Sequence, residues 1–195
     1  MTKAERTKQF IIEQAAPVYN IKGIAGTNVD DILKAVNLTK GAIYSHFKNK
    51  EDLSTQVAEY LLEKIASGTD QAMKKGKTAR EKIFAYLDFN AHPLKTYING
   101  GCPIFNFAVE ADDNNDFLKS RVNQRLVKTQ KYFASILRDG IKVGEFSASL
   151  NPEAFAFKMY ASIEGGLIMC RAMNNEKPMQ VLIDDLKNEL NRYGS

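Results

Sequence analysis

Apolar residues recur at helical intervals along almost the whole 195-residue chain. Ile11, Ala15 and Val18 lie three or four positions apart near one end, and Leu186 and Leu190 repeat that interval near the other. No stretch alternates apolar and polar residues over the length of a β-strand. This pattern predicts an all-α fold of about nine helices and argues against one built on a β-sheet.

The composition indicates a folded protein. Hydrophobic residues make up 44% of the chain, charged residues 26%, and there are only 5 prolines. No apolar run approaches the roughly 18 residues that a membrane span needs, and the N-terminus lacks the apolar core of a signal peptide. Cys102 and Cys170 are too few for a disulfide framework. We therefore expect a reduced, cytoplasmic protein without a membrane partner.

The positive charge is concentrated at the N-terminus. Residues 1–50 contain 8 Lys and Arg against 4 Asp and Glu, whereas residues 51–195 contain 19 of each class. The whole net charge of +4 therefore belongs to the first quarter of the chain. This asymmetry predicts a polyanion-binding head attached to an electrically neutral body.

Two short helices are predicted next to each other within this basic segment. Thr27 and Asp30 predict the N-terminal cap of the first helix, which ends near Asn37. Asn37 tolerates the left-handed conformation that a tight turn requires. The second helix is expected to run from about Thr39 to Phe47. This is helix-turn-helix geometry, in which the second helix enters the DNA major groove.

The second helix has side chains suited to that role. We expect Leu38, Ile43 and Phe47 to face inward and anchor it. The outward residues are polar or small, which lets the helix approach base edges and supplies hydrogen-bond donors: Thr39, Lys40, Gly41, Ala42, Tyr44, Ser45 and His46. Lys50 adds a cation at the start of the next helix, where phosphate binds well. Alternatively, Gly41 serves only packing and Tyr44 is half-buried core.

The residues at 23, 26–32 and 39–53 resemble the DNA-binding segment of the tetracycline-repressor (TetR) family. Two positions depart from the family pattern: Ile24 replaces a common aromatic residue and Asn37 a common glycine. The resemblance implies an all-α homodimer in which residues 1–48 form a helix-turn-helix domain and residues 49–195 a larger domain for effector binding and dimerisation. It also implies a set of DNA-binding residues: Thr27, Asn28, Thr39, Lys40, Gly41, Ala42, Tyr44, Ser45, His46 and Lys50.

Small residues near the C-terminus point to a dimer interface. Ala161, Gly165 and Gly166 lie inside a predicted helix, where each glycine costs about 1 kcal/mol and so suggests close helix packing. The family resemblance implies that the last two helices pair with their mates, and we add Leu182 and Leu186 to this predicted interface. The alternative is that the glycines are merely tolerated.

A second group of residues could form a small apolar effector pocket. The apolar members are Phe84, Phe89, Phe105, Met159, Tyr160 and Ile163, with Cys102 beside them. Asn106 and Glu110 lie four residues apart on one helix face and could orient an apolar or aromatic effector. The alternative is ordinary core packing, because aromatic residues at helical spacing often only pack.

Cys102 stands directly before Pro103, at a predicted helix N-terminus, where the pKa of a thiol falls and its reactivity rises. The Gly-Gly-Cys turn resembles the oxidant- or electrophile-sensing branch of the family. Thiol modification that releases DNA is therefore an alternative mode of regulation. An inert cysteine is the other interpretation.

Taken together, these patterns predict a ligand-responsive transcriptional repressor that binds a palindromic DNA operator as a homodimer and leaves it when a small effector binds. No cofactor or metal is expected, since the two histidines and two cysteines lack metal-ligand spacing. No catalytic motif appears, so an enzyme is not expected. Two other classes stay open: an enzyme with an incidental helical head, and a module that binds a partner protein or anionic lipid.

Overall fold

The computed structural model describes residues 1–111 and 115–194. Every regular element within these ranges is an α-helix, which confirms the all-α prediction and the predicted number of about nine. The helices are α1 Lys3–Gly26, α2 Val29–Val36, α3 Lys40–Tyr44, α4 Lys50–Met73, α5 Ala79–Phe89, α6 Pro103–Ala111, α7 Asp116–Lys142, α8 Pro152–Ala172 and α9 Lys177–Arg192. None of these helices is both long and apolar enough to cross a membrane.

The chain packs into two compact units. The head unit consists of Met1–Ile65 and Ile98–Val122, and the body unit of Ala66–Tyr97 and Asn123–Ser195. Helices α4 and α7 each contribute residues to both units. The predicted functional boundary after residue 48 does not coincide with a boundary between these units, and it stays a prediction about where DNA binding resides.

Helix α1 begins and breaks where the sequence indicates. The hydroxyl of Thr2 accepts from Glu5 N at 3.2 Å, and the Glu5 carboxylate accepts from Thr2 N at 2.7 Å, which completes a capping box. The helix continues through Pro17. It breaks at Gly23, whose φ of 76° lies in the left-handed region that favours glycine. One further turn, residues 24–26, follows the break.

The predicted cap of α2 is wrong by one residue. Asn28, not Thr27, is the N-cap: its side-chain oxygen accepts from Asp31 N at 2.9 Å, and the Asp31 carboxylate accepts from Asn28 N at 3.2 Å. Thr27 cannot serve because its side chain is fully buried and its hydroxyl donates to Gly23 O at 2.6 Å. The break at Gly23 therefore shifts the start of α2.

The turn between α2 and α3 depends on Asn37, which adopts φ 52° and ψ 43° and donates its N–H to Leu33 O at 2.9 Å. Thr39 then caps α3 by accepting from Ala42 N at 3.2 Å. Helix α3 ends at Tyr44, three residues before the predicted end at Phe47, and Ser45 and His46 form a turn.

In the body unit, α8 packs along α9 and an aromatic cluster fills the interior. The ring centroids of Tyr86 and Phe133 are 4.5 Å apart, and Tyr160 lies 6.5 Å and 6.1 Å from them. Glu145 caps the start of α5: its carboxylate accepts from Ala79 N at 2.8 Å and from Arg80 N at 3.0 Å.

We expect Asn37→Val to destabilise the protein by about 1–2 kcal/mol, because a β-branched side chain is strained in the left-handed conformation. Asn37→Gly is the matched control, and its free energy of unfolding should stay within about 0.5 kcal/mol of the wild type. Urea unfolding followed by circular dichroism measures both. Equal stability of the valine and glycine variants would contradict the role given to this turn.

Candidate nucleic-acid interface

Helix α3 is anchored by covered apolar side chains within it and on either side of it. Ile43 and Phe47 are buried, as predicted, and Leu38 is partly covered. Behind α3, the Tyr19 hydroxyl lies 3.1 Å from Ser54 Oγ, and Ser54 in turn donates to Lys50 O at 2.7 Å. Burial raises the pKa of Tyr19, so its hydroxyl stays protonated within this network. These contacts tie α1 to the start of α4.

The outer face of α3 is exposed, as insertion into a DNA groove requires. Lys40, Gly41 and Ser45 are exposed, and no atom lies within 4 Å of the position that a Cβ of Gly41 would occupy. Thr39 is also exposed, while Ala42, Tyr44 and His46 are half-buried. A groove of about 400 Å³ runs beside this helix, and Lys8 and Lys48 are among its lining residues.

The predicted contact residues outside α3 differ in how far their side chains are available to DNA. Asn28 is exposed, although its side chain caps α2. Lys50, the first residue of α4, is half-buried with its Nζ 3.5 Å from Ile24 O. The phosphate contact predicted for Thr27 needs correction, because the buried hydroxyl is held by Gly23 O and is not offered to a ligand.

Two carboxylates in the head unit are committed to backbone N–H groups. The hydrogen bond from Lys22, followed by that from Asn28 N, lowers the pKa of Asp31. The hydrogen bonds from Lys48 N and then Gln56 lower the pKa of Asp52. Both carboxylates therefore stay ionised at neutral pH and are held by neighbours within the head unit.

Because these pKa values are lower in the folded state, both carboxylates add stability above the ordinary Asp pKa of about 3.9 and lose it as the pH falls through their folded values. Asp31→Asn should therefore lower the melting temperature at pH 7, and the difference from the wild type should shrink towards pH 3. Thermal unfolding by circular dichroism measures this.

Asp30→Asn is the matched control, since this carboxylate lies in the same helical turn but outside the capping box. It should lower the melting temperature less than Asp31→Asn does. A difference between wild type and Asp31→Asn that stays constant from pH 7 to pH 3 would contradict the assignment.

The nine predicted effector residues divide between the two units. Phe84, Phe89, Met159, Tyr160 and Ile163 belong to the body unit, and Cys102, Phe105, Asn106 and Glu110 to the head unit. Met159 and Ile163 are fully buried, while the ring of Phe89 lies 5.4 Å from that of Tyr97. Tyr86 and Phe133, which were not in the predicted set, have rings in contact with that of Tyr160.

Asn106 and Glu110 have partners on α1. The Asn106 amide donates to Asn20 O at 2.9 Å and to Asn20 Oδ1 at 3.0 Å. The Glu110 carboxylate accepts from Ile24 N at 2.8 Å and from Ala25 N at 2.6 Å. Their predicted action on an effector stays a prediction, but both side chains already have structural partners within the head unit.

Cys102 is half-buried and directly precedes α6, as predicted, and its carbonyl accepts from Asn106 N at 3.0 Å. Neither cysteine is in a disulfide. The thiol-sensor role stays a prediction.

A separate cavity of about 570 Å³ lies in the head unit, with Ile24, Lys50 and Phe117 in its wall.

The predicted interface residues on α8 and α9 separate into two groups. Ala161 is exposed, and a Cβ at Gly165 would meet nothing within 4 Å. In contrast, a Cβ at Gly166 would lie 2.8 Å from Leu182 Cδ2, and Leu186 is buried. Gly166 and Leu186 therefore serve packing between α8 and α9 of the same chain.

Two capped helices lie in succession, and the second is buried on one side and exposed on the other. This arrangement is typical of helix-turn-helix DNA-binding proteins. Residues 11–57 match the family model described as bacterial regulatory proteins, tetR family. Residues 79–186, more than half of the chain, match the tetracyclin repressor-like C-terminal domain. The chain belongs to the TetR family of transcriptional regulators, and the predicted family and DNA-binding class are confirmed.

Individual relatives agree with this assignment over nearly the full chain. The transcriptional repressor DhaR of Mycobacterium sp. strain GP1 is 26% identical over 176 residues, covering 88% of this chain and 86% of DhaR. A TetR-family regulator from Cytophaga hutchinsonii is 31% identical with a TM-score of 0.90, covering 100% of this chain and 98% of that one. A TetR regulator from Chloroflexus aurantiacus is 30% identical with a TM-score of 0.93 and the same coverage.

Proposed function

We propose that this protein is a dimeric transcriptional repressor that binds a two-fold symmetric DNA operator and is released by a small apolar or aromatic effector. The open outer face of α3, with Lys40 and Ser45 exposed beside Gly41, is the observation that carries the proposal. The basic charge of residues 1–50 supports attraction to DNA phosphates. The repressor role is supported by analogy with DhaR, which is named a repressor. Such a protein would act in the cytoplasm.

The contacts we propose follow the docking geometry of helix-turn-helix proteins. Lys40, Gly41, Ala42 and Ser45 would face base edges. The proposed phosphate contacts are Thr39, Tyr44, His46 and Lys50, with Asn28 beside them. Thr27 is left out because its side chain is buried. A lysine at the front of the helix favours guanine acceptors.

Selection of bound duplexes from a random DNA pool, at fixed salt near physiological strength, tests the proposal. We expect a two-fold symmetric site with half-sites about 34–36 Å apart. Lys40→Ala should weaken binding to that site about tenfold to a hundredfold, equivalent to about 1–3 kcal/mol. Lys142→Ala removes the same charge in the body unit and is the control. Recovery of only sequence-independent binding, or equal effects of the two variants, would contradict the proposal.

A ridge of α8 supports the proposed dimer. Phe157, Ala161, Gly165 and Met169 follow one another at intervals of four and so share one helix face. Phe157 is 66% exposed and Met169 62%, and Val181 on α9 is 61% exposed. Exposed apolar side chains in such a row mark interaction surfaces, and the open space at Gly165 leaves room for a partner helix.

The adjacent glycines of α8 separate dimerisation from folding. We expect Gly165→Leu to keep its helicity and stability but to form monomers, because the added side chain points into open space and would block a partner helix. Gly166→Leu should instead destabilise the chain by about 1–3 kcal/mol, since it meets Leu182 and Met179. Sedimentation equilibrium and urea unfolding measure these effects. A dimeric Gly165→Leu variant would contradict the proposed surface.

For the effector, we propose the aromatic interior of the body unit around Tyr86, Phe133 and Tyr160. The buried Met159 and Ile163 and the half-buried Phe84 and Phe89 are further candidates. Cys102 and Phe105 belong to the head unit and are not part of this proposed site, so their effector role stays a prediction. Asn106 and Glu110 are left out because α1 engages them. Helix α4 is shared by both units, so it is a covalent route from this region to Lys50. An effector lowers DNA affinity only if it prefers the state that does not bind DNA.

A further inference from the structure

The carboxylate of Glu110, on α6, binds the backbone at the break in α1. After Gly23, Ile24 and Ala25 start a new turn, and the first N–H groups of a helical segment need acceptors from outside it. Both donate to Glu110: Ile24 N to Oε2 at 2.8 Å and Ala25 N to Oε1 at 2.6 Å. Such paired hydrogen bonds to an ionised group are stronger than neutral ones and fix direction as well as distance.

A second set of bonds holds α6 against α1 one helical turn earlier. Asn106, four residues before Glu110, donates its amide to Asn20 O and Asn20 Oδ1. Asn20 is only 2% exposed, and its own amide donates to Asn99 O at 2.8 Å and Gly101 O at 3.0 Å. The base of α6 is therefore fixed independently, and Glu110 is directed at the break itself.

Two observations explain the glycine at the break. Its φ of 76° is unfavourable for other residues. In addition, a Cβ at Gly23 would lie 2.8 Å from Glu110 Oε2, so the carboxylate would have to move. The bare backbone at Gly23 and the carboxylate of Glu110 thus form one junction.

This junction leads directly into the helix-turn-helix. The carbonyl of Gly23 accepts the Thr27 hydroxyl, and Asn28, the N-cap of α2, is the next residue. On the same side, Lys22 pairs with Asp31 of α2 at 2.6 Å. The direction of α2, and through the Asn37 turn that of α3, follows from the geometry at residues 23–25.

We propose that Glu110 is a positioning residue for sequence-specific DNA binding: its carboxylate fastens α6 to the break in α1 and so sets the orientation of α2 and α3. The inference rests on the proposed role of α3 as the recognition helix. Glutamine at this position has one acceptor oxygen instead of two and would turn an NH₂ group towards a backbone N–H. One donor would lose its partner, and the junction would loosen while the rest of the fold is kept.

The test compares Glu110→Gln with Glu13→Gln, which makes the same change of charge. Glu13 is exposed on α1, where it accepts from Gln9 at 2.8 Å. Loss of one negative charge by itself strengthens attraction to DNA. Glu13→Gln should therefore bind DNA as well as the wild type or slightly better. Glu110→Gln should bind the selected operator about tenfold more weakly, which is the opposite sign.

Binding to a random duplex at the same salt distinguishes this role from general destabilisation, which would weaken binding to both duplexes. Glu110→Gln should keep its affinity for random DNA, so that only the ratio of specific to non-specific affinity falls. Circular dichroism below the melting transition should show unchanged helicity. A specificity ratio equal to that of the wild type, or an equal loss on both duplexes, would overturn the proposal.

A double-mutant cycle with Gly23→Ala checks that the two residues act as one junction. The alanine displaces the carboxylate, so adding Glu110→Gln to it should cause little further loss of specificity. Full additivity would overturn the inference. If Glu110→Gln fails to fold, Glu110→Asp replaces it, and this shorter carboxylate should also lose specificity, by a smaller factor; an unchanged ratio would again count against the proposal. A wild-type protein that selects no specific operator would instead contradict the proposed function.

Discussion

Backbone N–H groups at the start of a helix need acceptors from outside that helix, and much of this structure is arranged to provide them. At α1 and α2 the acceptors are local, from Glu5 and Asp31 and their capping partners. At two other places the acceptor comes from far along the chain: Glu110 bonds the turn after Gly23, and Glu145 bonds the first residues of α5. A distant carboxylate both satisfies the donors and fixes one helix against another.

The distinction between local and distant caps explains which features could be predicted from sequence. The Thr2 and Glu5 pair can be recognised in the sequence because its members are three residues apart, a spacing that itself defines the motif. Glu110 lies 86 residues from Ile24, and no local pattern links them. Its spacing from Asn106 predicted a shared helix face, and the two side chains do act on the same neighbour. That neighbour is α1, which periodicity alone does not reveal.

The same limit accounts for the error at α2. Thr27 and Asp30 have suitable side chains and the three-residue interval of a capping pair, as do Asn28 and Asp31. What distinguishes the pairs is that Thr27 is buried and its hydroxyl donates to the carbonyl of Gly23, at the break in α1. Helix α3 was located from sequence because Ile43 and Phe47, four residues apart, are buried as predicted, although Phe47 lies beyond the end of the helix. Its end at Tyr44 was harder to locate, since helix ends depend on the turn that follows.

Gly165 and Gly166 show how packing assigns different roles to neighbours that the sequence treats alike. Adjacent helical residues point about 100° apart, so one glycine faces α9 of its own chain and the other faces open space. The first is needed for the body unit to pack. The second is available to a partner, in line with Phe157 and Met169. In the head unit, Gly23 belongs to the first kind, because it leaves room for Glu110 to reach the backbone. Small residues therefore permit close approach in both units, and the role of each depends on which group approaches it.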